Sequence, residues 1–509
     1  MRVTLFLLLS VRAVLASVIP NRAKHYEEMR AAIVGAEQDY GLGGKVFLNP
    51  DEQHVDRVLR EMKKRELHPP ESGLLPAGMH FFDARQLIED SPVFRALKSM
   101  PKGAVLHLHN SAAVSSRWVI SNLTYRHEAK LCRKDDRYFF TVRPHSHCLE
   151  NQTHRITDMR KEHTEGAEAF DSWLESIINM KHKPTANMSR LATVNELWVD
   201  FESCFDAIKG FLQYKPFYEA YHWQLLREFH DDGVFYIEFR ISLGKVYDEG
   251  GKEYGPPETT AMLRRIVDEF RRQHPSFHGV KIILAKHKNM DDAELENALK
   301  LYDNLSTAFP GFVIGFDLVG QEDNNRSLKS FISSLLLPPM QPRAPNYFFH
   351  AGETVGYYTE ADENVIDAVL LDARRIGHGY ALFKHPILWN AMRRKQIAIE
   401  VCPISNQVLG LVRDLRNHPA SFYAAHNIPM TIASDDPGFW DAVGVSYDFY
   451  YAFMAIAPHT GLGFLKQLVW DSLRFSTISA DERLNITATM EMQWATFIRE
   501  FRNPNLSET

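Results

Sequence analysis

Four strand-like runs in this sequence stop at histidine or acid, and that repetition limits the folds open to the chain more than any other feature. The first is Ala104-Val105-Leu106-His107-Leu108-His109. Successive side chains of a strand alternate faces, so His107 and His109 point the same way. The others are Tyr347-Phe348-Phe349-His350-Ala351-Gly352-Glu353, Arg375-Ile376-Gly377-His378-Gly379 and Met430-Thr431-Ile432-Ala433-Ser434-Asp435-Asp436-Pro437. Each alone has a structural alternative: a polar strand end, His350 capping a core strand, His378 in a Gly-flanked turn, Asp435-Asp436 as a helix N-cap. Chance rarely sets such residues at the same end of every strand.

The rest of the chain supplies the frame for these runs. From about residue 200, apolar runs at Val234–Arg240, Val280–Lys286, Val313–Val319, Tyr347–Ala351, Arg375–His378, Ile397–Val401 and Met430–Ser434 alternate with helical patterns such as Thr259–Gln273, Ala293–Phe309 and Glu363–Ala373. With Ala104–His109 there are eight strand–helix units, which predicts an α/β (β/α)8 TIM barrel. Active sites of that fold lie at the C-terminal ends of the strands. The four runs would therefore converge at one mouth.

The segments outside the barrel are read by pattern. Arg2 precedes the apolar run Val3–Leu9, and small residues near Ala16 and Ser17 suit cleavage, so residues 1–17 are expected to be a signal peptide. The run is too short to span a bilayer, and no other apolar segment is long enough. Residues 18–100 read as helices, with an Asn49-Pro50-Asp51 start signal before the second. The barrel starts over 101–121 and resumes over 191–509. The polar stretch 122–190 between them reads as an insertion. Cys132 and Cys148 bound a histidine-rich part of it and are read as a disulfide, whereas Cys204 and Cys402 are read as buried thiols. Asn-x-Ser/Thr sites at Asn122, Asn151, Asn187, Asn304, Asn325, Asn485 and Asn505 agree with a secreted, extracellular glycoprotein. The 45% hydrophobic content of the 509 residues is ample for a large core, and a net charge of −6 without a basic tract speaks against nucleic acid as a partner.

The gathered residues suggest hydrolytic chemistry. Neutral imidazoles with a carboxylate suit zinc in a nitrogen–oxygen environment. A zinc ion with an open position makes hydroxide available near neutral pH. Glu353, three residues past His350, can donate a proton if its pKa is raised. His378 reads as a base or electrostatic stabiliser for the attacking hydroxide, and Asp436 as an acceptor of a hydrogen bond from the substrate.

These motifs, together with Gly315-Phe316-Asp317-Leu318-Val319-Gly320-Gln321-Glu322 and Glu400-Val401-Cys402-Pro403-Ile404-Ser405-Asn406, resemble the signature set of the adenosine deaminases. The leader, helical start and disulfide-bearing insertion are similar to the secreted branch, the adenosine deaminase-related growth factors. The resemblance covers nearly the whole chain after the leader. It implies one zinc per chain on His107, His109, His350 and Asp435. It implies Glu353 as proton donor to purine N1, His378 steering hydroxide to C6, Asp436 at N7 and the Gly320 backbone at N3. Trp198 and His287 are similar to nucleoside-contacting positions. Asn110 stands where the family usually has an aspartate that meets the ribose; an amide keeps an acceptor, adds donors and carries no charge. The expected activity is conversion of adenosine, and of 2′-deoxyadenosine, to inosine and ammonia, with a growth-factor-like effect through adenosine depletion. The implied partners are a second copy of the chain, through the N-terminal helices, and a cell-surface receptor or glycosaminoglycan for the insertion. Two other readings compete: a metal hydrolase of the same superfamily acting on another purine nucleoside, and a non-enzymatic secreted ligand. The second is weakened because every expected catalytic residue is present.

Overall fold

The computed structural model describes residues 22–68, 74–143, 152–186, 192–336 and 345–501. Eight parallel strands form its centre: β1 Gly103–Val105, β2 Val234–Ile241, β3 Gly279–His287, β4 Val313–Val319, β5 His350–Ala351, β6 Arg375–His378, β7 Ala398–Val401 and β8 Met430–Ile432. β1 to β4 make one four-stranded sheet and β5 to β8 another. Parallel bridges join them at both edges, Phe316 to Tyr347 and Leu108 to Asp435, and close the ring. The strands are apolar and buried on both faces, as a barrel wrapped by helices requires.

Two strands are shorter than their apolar runs, for one physical reason. The run at Ala104–His109 leaves the ladder after Val105, and that at Tyr347–Ala351 pairs regularly only at His350 and Ala351. The freed carbonyls serve a buried arginine instead. Arg240 donates from Nη1 to Leu106 O at 2.7 Å and from Nη2 to Phe348 O at 3.0 Å. Its remaining charge is met by Asp317 at 3.0 Å and Glu400 at 2.6 Å. A fully buried guanidinium is tolerable only with such pairing.

The N-terminal helices pack on the barrel through polar anchors. Helix Pro50–Leu67 starts at the expected signal: Asn49 Oδ1 accepts from the Asp51 and Glu52 amides, each at 3.0 Å, and Glu52 Oε2 accepts from Asn49 N at 2.8 Å. Glu52 also takes the Trp494 indole N–H at 2.7 Å and Lys466 at 2.6 Å, tying this helix to the C-terminal ones. Helix Arg22–Tyr40 has no buried residue.

Between β1 and β2 the chain folds a small antiparallel sheet, with Lys130–Lys134 between Arg137–Thr141 and Thr153–Arg155, then helices Ile156–Glu162 and Ala167–Ile178. Cys132 is buried on the central strand. Its expected partner Cys148 lies outside the described residues, as do residues 1–17 and Asn151, Asn187 and Asn505. Asn122, Asn304 and Asn485 are exposed, and Asn325 is half-buried, its amide donating to Gln321 O at 2.8 Å. Cys204 and Cys402 are free and buried, as expected. No helix among the described residues is long and apolar enough to cross a membrane.

Candidate active site

The ends of β1, β5 and β8 bring His107, His109, His350 and Asp435 together, with one ligand-type atom from each lying within 4.8 Å of the others. Two carboxylates fix how the rings face. His107 Nδ1 lies 2.7 Å from Glu400 Oε2, and His350 Nδ1 lies 2.7 Å from Asp317 Oδ2. A carboxylate only accepts, so each Nδ1 carries the proton and each Nε2 turns a lone pair inward. His107 Nε2 is 3.1 Å from Asp435 Oδ1, and His109 Nε2 is 3.2 Å from that oxygen and 3.2 Å from His350 Nε2. His107 Nε2 and Asp435 Oδ1 are buried and take no hydrogen bond. Buried lone pairs facing one another fit a cation, and this donor set suits zinc. Cys402 reaches an overlapping group with His107, His378 and Asp435. Burial, with Asp435 nearby, pushes its thiol well up, so it is a weaker ligand than a third imidazole.

His378 and Asp435 are held in the left-handed backbone region, at φ 57° and 60°. Such conformations in non-glycine residues cost about 1 kcal/mol or more each and cluster at functional sites. The state of His378 can be traced from a backbone amide. Ala420 N donates to His418 Nδ1 at 3.0 Å, so His418 carries its proton on Nε2, which donates to Asn406 Oδ1 at 2.9 Å. Asn406 Nδ2 then donates to His378 Nδ1 at 3.2 Å. His378 is left with an Nε2–H, 3.7 Å from Asp435 Oδ2. Burial first of all drives its pKa well down, so the ring is neutral. Of the two roles read from sequence, this arrangement supports the stabilising donor over the base.

Glu353 and Asp436 are both buried. Burial and then the Asp435 charge push each carboxyl well above its ordinary value. Burial thereby favours the protonated form of Glu353, the form that can donate. Asp436 Oδ1 is buried and unpaired at the cleft, and a protonated carboxyl there offers a donor beside the acceptor read from sequence. The turn bearing Glu353 is pinned by Glu322, which accepts from Gly352 N at 3.1 Å and Glu353 N at 2.9 Å. Buried Lys288 lies 3.6 Å from Glu322 and donates to His350 O at 2.9 Å.

A cleft of about 460 Å³ opens over these groups. Asn110, Trp198, His287, Gly320 and Asp436 all line it, with His109, His350, Glu353, His378 and Asp435. His107 lies behind the wall. Trp198 comes from helix Val194–Leu212, which also presents Glu202 at 3.4 Å from His287 Nε2. Gly320 has φ +103°, and a Cβ there would come within 2.4 Å of His287 Nε2, so the backbone is bare where His287 folds over it. Asp317, Glu400, Arg240, Glu322 and His222 carry site structure that sequence reasoning did not assign. For Asp317, Glu400 and Arg240 the signal is a charge inside an apolar strand; Glu322, in a polar turn, and His222, on a mixed helix, carry no such mark.

A parallel barrel gathering imidazoles and a carboxylate at its strand ends, beside two further buried carboxyls, is a frame for metal-assisted hydrolysis. Comparison with known proteins narrows the class. Residues 179–492 match the adenosine deaminase family model, and residues 5–97 the adenosine/AMP deaminase N-terminal model. The chain is 37% identical to adenosine deaminase 2 of Homo sapiens, over 97% of each sequence. It is 37% identical to an adenosine deaminase of the sand fly Phlebotomus duboscqi, over 96% of each. Among solved structures, an Arabidopsis N6-mAMP deaminase aligns with a TM-score of 0.54 at 14% identity, covering 78% of this chain and 99% of that one. An amidohydrolase of Burkholderia ambifaria with bound Zn aligns at 0.51 and 16% identity, covering 81% and 95%. At those identities the two structures speak to the fold alone. The chain belongs to the adenosine deaminase family.

Proposed function

We propose that this protein is a secreted, zinc-dependent deaminase that hydrolyses adenosine and 2′-deoxyadenosine to inosine and ammonia. One observation carries the reading: two buried carboxyls, Glu353 and Asp436, whose burial favours the protonated form, line the cleft beside the metal-type donors. A purine presents lone pairs at N1 and N7, on either side of C6, and two acids in these positions match them. His107, His109, His350 and Asp435 would hold one zinc ion per chain. The ion supplies Lewis acidity that makes water a nucleophile near neutral pH. Glu353 gives its proton to N1, which draws electron density from C6. Asp436 donates to N7 and fixes the ring. His378 Nε2–H holds the incoming water oxygen at the face of C6. The C6–O bond forms and the C6–N6 bond breaks as the water gives up its two protons, one to the departing amine, which leaves as ammonia, and one back to the Glu353 carboxylate, while N1 keeps the proton it received. Gly320, without a side chain, lets N3 approach the backbone, while Trp198, His287 and Asn110 bound the sugar side.

The finer assignments belong to the same proposal. The apolar leader and the exposed sequons at Asn122, Asn304 and Asn485 support secretion of a glycoprotein. A Cys132–Cys148 disulfide would close the polar end of the inserted sheet, and the insertion over 122–190 would meet a receptor or glycosaminoglycan. Helix Arg22–Tyr40, with Tyr26, Ile33 and Tyr40 exposed, supports a homodimer through the N-terminal region 18–100. Growth-factor-like effects would follow from adenosine removal.

Purified protein should convert adenosine to inosine, read as loss of adenosine absorbance. Chelation should abolish the change and added zinc restore it. Absence of turnover with stoichiometric zinc bound would reject the reading. Peptide mapping of the unreduced protein tests the disulfide, and free thiols at both positions would reject it.

A further inference from the structure

A second polar cluster stands beside the metal-type donors: Asn110 and Tyr218 line the cleft, and buried His222 lies behind them. Its state follows from one backbone carbonyl. His222 Nδ1, on helix Lys215–Asp231, lies 2.8 Å from Tyr218 O. A carbonyl only accepts, so Nδ1 carries a proton. Burial lowers the His222 pKa to about 4, so near neutral pH the ring is uncharged and Nε2 is a bare lone pair. That nitrogen lies 3.1 Å from the Asn110 side-chain amide. It can pair only with the NH2 group, which turns Asn110 Oδ1 to the other side.

Tyr218 contributes a different feature. It lines the same cleft as Asn110. Its ring lies against His222, with centroids 4.0 Å apart, and its Oη is buried without a hydrogen-bond partner. An unpaired buried hydroxyl is costly, and native proteins rarely leave one without a ligand or water to meet. A fixed acceptor and an unpaired donor on one wall suit a group that gives one hydrogen bond and takes another. A sugar hydroxyl does both.

We propose that Asn110 and Tyr218 form a subsite for one hydroxyl of a neutral sugar, and that His222 is the positioning residue that holds Asn110 with its oxygen toward the cleft. The proposal rests on the nucleoside reading of the site and adds two residues to it. It also accounts for the amide at position 110. A carboxylate there would set an acceptor oxygen against the bare Nε2 of His222, whereas the amide offers that nitrogen a donor and keeps an acceptor for the ligand.

The test is a substrate series: adenosine and its 2′-, 3′- and 5′-deoxy analogues, with wild type, Tyr218→Phe, Asn110→Ala, His222→Phe, His222→Gln and the His222→Phe/Asn110→Ala double variant. Tyr218→Phe should raise KM for adenosine about fivefold, the scale of one neutral hydrogen bond, and leave KM unchanged for one of the deoxy analogues. His222→Phe should raise KM about fivefold with Asn110 present and add nothing in the Asn110→Ala background. His222→Gln, which can still accept from Asn110, should recover part of that loss. The effects should fall on KM more than on kcat. Imidazole 15N shifts should report His222 as neutral and Nδ1-protonated from pH 5 to 8. Equal losses on all four nucleosides, additivity of His222→Phe with Asn110→Ala, or an Nε2-protonated His222 would overturn the subsite. Calorimetric binding of the same nucleosides separates the two readings. Binding without turnover rejects the deaminase and still scores the subsite by the pattern above, whereas no binding of any nucleoside overturns both.

Discussion

Asp317 has no place in the cleft, yet its replacement by asparagine should weaken the metal centre. The carboxylate makes three contacts: Oδ2 accepts from His350 Nδ1 at 2.7 Å and from Arg240 Nε at 3.0 Å, and Oδ1 accepts from His350 N at 3.0 Å. An amide of the same shape has one oxygen. If that oxygen faces the imidazole, the NH2 meets the backbone N–H of His350. If it faces the backbone, the NH2 meets the ring and Arg240, and His350 moves its proton to Nε2, the atom that faces the other ligands. Either way a buried, charge-assisted bond worth about 1.5–3 kcal/mol is lost. Removing the partner of a ligating histidine costs about 10- to 100-fold in metal affinity, or roughly 1.4–2.7 kcal/mol, and the two scales agree. Zinc affinity measured against a competing chelating indicator should fall by that factor. Turnover at saturating zinc should fall less. Zinc affinity within twofold of wild type would refute the argument and show that His350 is oriented by its strand alone.

Other variants probe the remaining groups. His109→Ala should lose zinc and activity together, measured by metal analysis of the purified variant; stoichiometric zinc would remove His109 from the ligand set. Glu353→Gln should keep zinc and fold but lower turnover about 10²-fold or more; near-normal rates would place the proton elsewhere. Asn406→Leu should break the link from His418 to His378 and lower kcat with little change in zinc content, and a 15N spectrum should show His378 as a mixture of tautomers. Gly320→Ala should raise KM about tenfold or more through the strained φ and the clash with His287; unchanged KM would show that the turn relaxes.

The barrel and the gathering of His107, His109, His350 and Asp435 were legible because strand ends are marked twice, by the stop of an apolar run and by a residue type. His350 and Asp435 carry both marks. Asp317, Arg240 and Glu400 carry only the first half of a message. Each is a charge inside an apolar strand, but a single sequence does not say which charges will face one another across the barrel. Strand lengths failed for the same reason, since the carbonyls of Leu106 and Phe348 serve a guanidinium whose position depends on the closed ring. Asp436 lines the cleft, but its protonation depends on burial beside Asp435, which no local pattern reports. His222 is 112 positions from Asn110, and nothing in the local pattern of either residue announces the other.

The seam of the barrel has a consequence for how the enzyme is made. His109 N donates to Asp435 O at 3.0 Å, and Asp435 N to His107 O at 3.3 Å. The first and last strands therefore meet through the residues that form the donor set. On a ribosome, the histidines of β1 emerge early and wait for most of the polypeptide before Asp435 arrives. Metal capture by this full donor set would in this way be a late event, reporting that the final strand has docked in register. An ion that bridges chain segments so distant in sequence acts as a clasp against opening. Hydrogen exchange in the metal-free protein should accordingly be fastest along β1 and β8 and slow there when zinc is added, with β3, which carries none of the donors, changing least.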